Sequence, residues 1–452
     1  MNIAQKKKLW AAVLNPFNPY TLPNLAARYS LDGPRGPTTY LLNGSNVALI
    51  ADRSSNSAVN GLVLNGASGQ WASSPDSAAT SVFGTGIDVR VDLSLVNWTI
   101  ATVQQVIGKF GSNGEYRLVN DTGTLIFAWK DSGGTSRSAS ATTTLSFSAY
   151  QRSWVRATLL FNNGSGGNNV TFYTSDDGSM WTQLGGTVTQ GFTTDIIDST
   201  SVVSIGSNNG ANSISTGIIY RAQIYNGING TLAFDANFTT VAKLATSFTE
   251  SSSNAATVTI TSSGDLGARI CGARDLVQLT AAKQPAFSTS SGYNTATFDG
   301  SNDYMKSATF PLSQPFSRYS VFSGTWVINR YIADGATADS TELQAYSSSP
   351  KLLIHAGATA SSIANGGLAT ATRGVVAEVF SGAASSLRVN TKAATSGSIG
   401  TNAANGLTIG AKADGSVPYR LVWSETFLHS VADPNPLQLS IARYLMREWG
   451  IT

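Results

Sequence analysis

The 452-residue sequence predicts a mainly β protein: two antiparallel β-sandwich domains, a short N-terminal arm and a C-terminal helix. Three observations carry that prediction. Apolar runs are short, as at 155–161, 170–173 and 218–225, and clusters of Gly, Asn, Asp and Ser separate them; that is the grammar of strands and turns, not of βαβ units. Charged residues are only 12% of the chain against about 25% in a typical soluble protein, and the abundant Ser, Thr, Asn and Gly suit turns better than helices. The chain also repeats itself, which divides it into an arm at 1–40, a first domain at 41–262 and a second at 263–452.

The arm comes first. Residues 2–14 predict a short helix with Asn2 as N-cap and a partial apolar stripe of Ile3, Trp10, Val13 and Leu14 beside Lys6, Lys7 and Lys8. Pro16, Pro19 and Pro23 then impose an extended path. A helix of about a dozen residues has little stability alone. The arm therefore reads as a docking segment, with Lys6, Lys7, Lys8, Trp10, Phe17 and Tyr20 as its contact residues, or as a segment packed on its own domain. The basic start imitates a signal peptide, but the apolar run 9–14 is shorter than the usual stretch of about 7–15 residues, so the segment is expected to be retained. The N-x-S/T sequons, from Asn43 to Asn237, then follow simply from an Asn/Ser/Thr-rich text.

Within the first domain, SDDGSMW at 175–181 reads as a hairpin. Asp176, Asp177 and Gly178 supply the turn, and Trp181 is expected to pair across the strands with Phe172 and Tyr173. Asp131 to Gly134 is a second turn of the same chemistry. The second domain ends in a helix that Asp433 can cap, with Pro434 or Pro436 in its first turn, Leu437, Ile441, Tyr444 and Leu445 on its buried face, and Gly450 after its end.

The repeat aligns 203–225 with 407–427, each an Ile-Gly, a Gly-containing turn and a long strand opened by Tyr-Arg, at Tyr220-Arg221 and Tyr419-Arg420. It also sets LNGASGQW (64–71) against FDGSNDYM (298–305). The Asn-Gly and Asp-Gly pairs predict turns, with Trp71 or Tyr304 as the anchoring aromatic. A metal at Asp299 and Asp303 is the lesser reading, since Ca²⁺ asks for about six to eight oxygens and the first copy has Asn65 and Gln70 instead of acids.

These phrases resemble a known family. AKQPAFSTSSGYNTATFDGSNDYM, LRVNTKAATSGSIG and LTIGAKADG are similar to the strands of concanavalin A-like, LamG-type jelly rolls. WVRATLLF, VTFYTSDDGSMWTQLG, YRAQIYNGINGTLAFDANFTT and ARYLMREWGIT resemble a variant frequent in bacteriophage structural proteins. The resemblance spans most of 45–452. It implies jelly-roll sandwiches and a structural place on a virion surface, as a capsid decoration, head fibre or tail-associated protein forming a symmetric oligomer. Because the fold carries lectins, hydrolases and structural modules alike, function has to come from the residues.

Those residues argue against chemistry. The superfamily's glucanases carry Glu-x-Asp-x-x-Glu on one strand; here Glu115, Glu250, Glu342, Glu378, Glu425 and Glu448 are scattered singly. His355 and His429 stand far apart, and no nucleophile elbow or phosphate loop is present. The protein is expected to be no enzyme and to need no cofactor. A net charge of +3 over 29 basic and 26 acidic residues gives no nucleic-acid footprint. No apolar run reaches the ~18 residues of a membrane span, and lone Cys271 excludes an internal disulfide. Two readings remain: a virion structural protein docked through its arm, and a glycan-binding adhesin using aromatic faces, with Trp71, Tyr304 and Trp129 as first candidates and Trp98, Trp326 and Tyr331 behind them.

Overall fold

The computed structural model describes residues 18–31, 40–54, 59–111, 114–290, 292–347, 351–357 and 363–452. The proposed docking residues Lys6, Lys7, Lys8, Trp10 and Phe17, and the helix expected over 2–14, lie outside the described residues. The chain forms two compact units, one of Ala58–Ala273 and one assembled from Met1–Ser57 with Arg274–Thr452. Among the described residues every strand ladder is antiparallel, as the sequence predicts. The boundaries differ from those expected at 40/41 and 262/263: the first unit is inserted into the second.

The inserted unit is a sandwich of two sheets. One runs Thr182–Gln183, Asn168–Ser175, Arg152–Leu160, Gly86–Leu95, Thr216–Asn226, Gly61–Asn65, Arg269–Cys271, with Thr231–Asn237 added along Thr216–Asn226. The other runs Ser136–Ser140, Thr124–Lys130, Tyr116–Asp121, Gln104–Lys109, Val203–Ile205, Trp71–Ser74, Thr257–Thr261, Ser247–Thr249. Their facing side chains, among them Val91, Leu93, Phe127, Trp129, Phe172 and Ile224, make one core. The period of two along each strand puts these residues on one face.

The second unit repeats that order. Thr395–Gly397, Ser385–Val389, Gly374–Phe380, Phe316–Gly324, Arg420–His429 and Tyr293–Asp299 match the first sheet strand for strand. Ile363–Gly366, Lys351–His355, Glu342–Ser347, Arg330–Asp334, Thr408–Ile409 and Met305–Lys306 match the other. The repeat in the sequence is thus a repeat in topology, except that the two Tyr-Arg pairs are not equivalent: Tyr220-Arg221 lies inside its strand, and register puts Glu425 rather than Arg420 at the place of Arg221. One position is filled differently. Thr231–Asn237 lies on the second half of Thr216–Asn226, whereas the corresponding half of Arg420–His429 is taken by the N-terminal strand Leu25–Ser30. After Arg420–His429 the chain turns instead into the helix Asn435–Glu448.

That helix has Pro436 in its first turn and buries Ile441, Ala442 and Leu445. Asp433 does not cap it. Its carboxylate accepts from the Tyr319 hydroxyl and lies against His429 Nδ1, at 2.7 Å each, so Pro434 stands at the cap position without a side-chain bond.

Candidate functional site

In the inserted unit the strand Gly86–Leu95 turns Ile87, Val89, Val91 and Leu93 into the core, which leaves Asp88, Arg90 and Asp92 for the outer face. On its neighbour, Val155, Ala157 and Leu159 point inward and Trp154 and Arg156 outward. Register sets Trp154 and Arg221 on either side of Asp92 and Asn237 beside Arg221. Strand alternation alone thus gathers acids, arginines and aromatics on one surface.

Each arginine there is held twice. Arg152 grips Asp92 with Nε at 3.0 Å and Nη2 at 2.6 Å, and lies 3.9 Å over the Tyr220 ring. Arg221 grips Asp235 at 2.6 and 2.7 Å, and the Asp235 backbone N–H donates to buried Glu250. Asp88 bridges Arg90 and Arg156, which stack on Tyr225 and Tyr173. Bidentate pairs and ring stacking fix these long side chains before any ligand arrives.

Between them lies an open groove of about 450 Å³ lined by Asp92, Arg152, Trp154, Asp176, Asp177, Arg221, Asn237 and Thr239. The 175–181 hairpin closes one side. Gly178, at φ +74°, lies so near the Trp154 indole that a Cβ would come within 2.6 Å of it. Asp177 accepts from Ser179 Oγ and from the Met180 and Ser179 backbone N–H groups, which hold its carboxyl far below the usual range. The Arg152 and Arg221 side chains keep 42% and 35% of their surface exposed, so both can still donate to a ligand.

The matching surface of the second unit is closed. In place of Asp92, Arg90, Trp154 and Arg156 stand Val321, Tyr319, Val375 and Ala377 by register. Ile441, Ala442, Leu445 and Trp449 of the C-terminal segment pack over them. Glu425, at the place of Arg221, takes bonds from Arg28 and from Trp449 Nε1. One copy roofs this face with apolar side chains, and the other leaves it polar and open.

The aromatic candidates fare differently from expectation. Trp129 is fully buried, with Nε1 donating to Thr194; Tyr304 is 5% exposed and Trp98 1%. Their rings are core, because each falls on the inward phase of its strand or turn, and they offer no face to a sugar. Trp71, Trp326 and Tyr331 are half-buried. Trp181 does not pair with Phe172 and Tyr173, since register puts Gln183 opposite Tyr173; it meets Trp154 edge-on, ring centres 6.3 Å apart. Tyr20 packs edge-on against Phe427 and Tyr444 beneath the Arg28 guanidinium, so this residue of the expected docking arm is spent inside the second unit. Sequence reasoning missed Arg152, Arg221 and Asn237; the alternation in RSWVRATLL, which opens on Arg152, was a signal for the first, whereas Arg221 and Asn237 reach this face only through strand pairing across the sheet.

The acidic loop is a turn. Asp299 Oδ1 accepts from the Ser301 and Asn302 N–H groups at 2.7 and 3.2 Å, and Asp303 Oδ2 from the Asp299 N–H at 2.9 Å. In the first copy Asn65 accepts from the Ala67 N–H and Gln70 takes the place of Asp303, accepting from the Asn65 N–H at 3.1 Å. Amides serve where the second copy has acids, which speaks against a metal at Asp299 and Asp303. Among the described residues, Asp76, Glu115 and Asp198 do converge within 4.8 Å, but buried Lys109 already bonds two of them at 2.5 and 3.0 Å. No described helix is long and apolar enough to cross a membrane.

No protein-family model and no curated protein matches the chain. Similar solved structures include domains LG4-5 of the mouse laminin α1 chain, aligned over 89% of this chain and 96% of that one at 12% identity and a TM-score of 0.29. Another is domain 4 of AbnA, a GH43 extracellular arabinanase from Geobacillus stearothermophilus solved with arabinotriose, covering 35% of this chain and 81% of its own at 12% identity and a TM-score of 0.30. A third is Trypanosoma rangeli sialidase, at 75% and 70% coverage, 10% identity and a TM-score of 0.29. Scores this low carry no argument about function. The two antiparallel jelly-roll sandwiches stand on their strand pairings.

Proposed function

We propose that the protein is a non-enzymatic binding protein whose inserted sandwich takes a glycan in the groove between Asp92, Arg152, Trp154 and Arg221. The observation that carries this reading is the contrast between the two copies: the same sheet face is roofed by a helix in one and left open, polar and pre-ordered in the other. Sugar hydroxyls need several fixed donors and acceptors at short spacing, and guanidinium forks, carboxylates, an amide and a hydroxyl supply them. Hydrolysis would instead need a carboxyl with a raised pKa beside a second carboxylate, and Asp177 is shifted the other way.

The test is a glycan array probed with the whole protein and with the double variant Arg152→Lys/Arg221→Lys. Lysine keeps the charge but loses the fork; affinity is expected to fall about tenfold or more with the thermal midpoint little changed. Equal binding by the variant would place the site elsewhere.

The display of this module on a bacteriophage virion, with a repeated oligomer and partners among other virion proteins, rests on the sequence resemblance alone. Mass spectrometry of purified particles tests it, a reproducible copy number supporting the virion role and complete absence refuting it.

A further inference from the structure

We infer that the groove selects uncharged glycans and rejects acidic ones, an inference that rests on the glycan reading above and specifies its ligand. Three carboxylates, Asp92, Asp176 and Asp177, line the groove against two guanidinia, Arg152 and Arg221. Asp235, paired with Arg221, makes the balance four to two. Arginines usually signal anion recognition, but here both are engaged. Arg152 spends Nε and Nη2 on Asp92, and Arg221 spends the same two on Asp235.

A uronate, sialate or sulfate could be gripped in the bidentate geometry that makes arginine an anion ligand only by drawing a fork from its partner. Asp92 and Asp235 are 3% and 4% exposed as side chains, and a nearly buried carboxylate stripped of its cation is strongly unfavourable. The anion would also face Asp176 and Asp177 across the groove. Hydroxyls make no such demand. They accept from the Nη1 donors left outside the two pairs and donate to carboxylate lone pairs without disturbing either. The groove therefore discriminates by repulsion as well as by fit.

One nearby feature has the opposite balance. Asp88 is shared by Arg90 and Arg156, two cations on one acid, and this cluster does not line the groove. Any acidic ligand on the sheet face should depend on Arg90.

The experiment compares neutral polysaccharides with carboxylated and sulfated ones on the whole protein, at low and at physiological salt, by array and calorimetry. Wild type should bind a neutral class with little salt dependence and leave acidic glycans unbound. Asp176→Lys, on the exposed hairpin tip, should gain acidic binding by about fivefold or more at low salt and lose that gain as salt rises. Wild type binding acidic glycans better than neutral ones would overturn the selectivity while leaving the glycan reading intact, and its loss in Arg90→Gln would move the site to the neighbouring cluster. Binding to neither class would overturn the glycan reading and this inference with it.

Discussion

Asp303 shows how a residue that looks like a metal ligand comes to be a structural acceptor. Burial pushes its carboxyl up to about 6 from an ordinary 3.8, the bond from the Asp299 N–H opposes that, and the Asp299 charge adds to it. A raised folded-state value means that its contribution is fully present below pH 3.8 and is lost as pH rises through about 6. The cost of the charged form above that range is at most about 3 kcal/mol. Asp303→Asn keeps an acceptor for the Asp299 N–H and removes the titration; urea midpoints across pH 4 to 7 should fall for wild type relative to the variant, and parallel curves would refute the assignment. The turn glycines give a second check. Gly66 and Gly300 sit at φ +83° and +78°, but a Cβ would meet the movable Thr216 hydroxyl in one case and the Arg420 backbone nitrogen, at 2.9 Å, in the other. Gly66→Ala should cost about 1–2 kcal/mol and Gly300→Ala more, read by denaturant unfolding.

At the level of elements, the C-terminal helix and the N-terminal strand are what make the two copies differ. The helix and the groove occupy matching faces, so removing the helix should turn a closed face into an exposed apolar one. A chain ending at Asp433 uncovers Tyr319, Val321, Val375 and Phe427, which now pack with Ile441, Leu445 and Trp449. Losing three such side chains is expected to cost about 6 kcal/mol or more. The truncated protein should bind a hydrophobic dye and self-associate; a monomer with no dye signal would show that this face does not need its roof. The helix was legible because Pro434, Pro436, Gly450 and the apolar spacing are local signals. The strand Leu25–Ser30 was not, because it sits just past Pro16, Pro19 and Pro23 and its partner lies about 400 residues away, at Leu25↔His429. Yet the two copies share a local signature. Glu250 accepts from the Asp235 and Ser252 N–H groups and the Ser252 hydroxyl; Asp52 accepts from the Arg28 and Ser54 N–H groups and the Ser54 hydroxyl. An acid followed two residues later by Ser, at 250–252 and at 52–54, marks the equivalent positions, and Arg28–Glu425 is the Asp235–Arg221 pair with its signs exchanged.

For the whole molecule, that shared signature means the chain is one sandwich inserted into another. Strand alternation, turn residues and the repeat revealed two sandwiches because those features are local. Which strands complete which sandwich depends on long-range pairing, and apart from the acid-x-Ser signature at 52–54 and 250–252 the local text does not encode it. The insertion has a structural consequence: its two ends are neighbours, since Ile50 pairs with Leu276 and the Asp52 N–H donates to Asp275 at 3.0 Å. Domains inserted where chain ends meet can be removed without stretching the host. Joining residue 54 to residue 274 through a short Gly/Ser linker should therefore give a folded second unit, and residues 58–273 alone should fold and keep the groove's glycan affinity. Residues 274–452 by themselves lack Leu25–Ser30 and Asn46–Ile50, leave the edges of Arg420–His429 and Leu276–Val277 unpaired, and should fail to give a dispersed amide spectrum. A well-dispersed spectrum from 274–452 would show that the N-terminal strands are dispensable, and the division into host and insert would have to be abandoned.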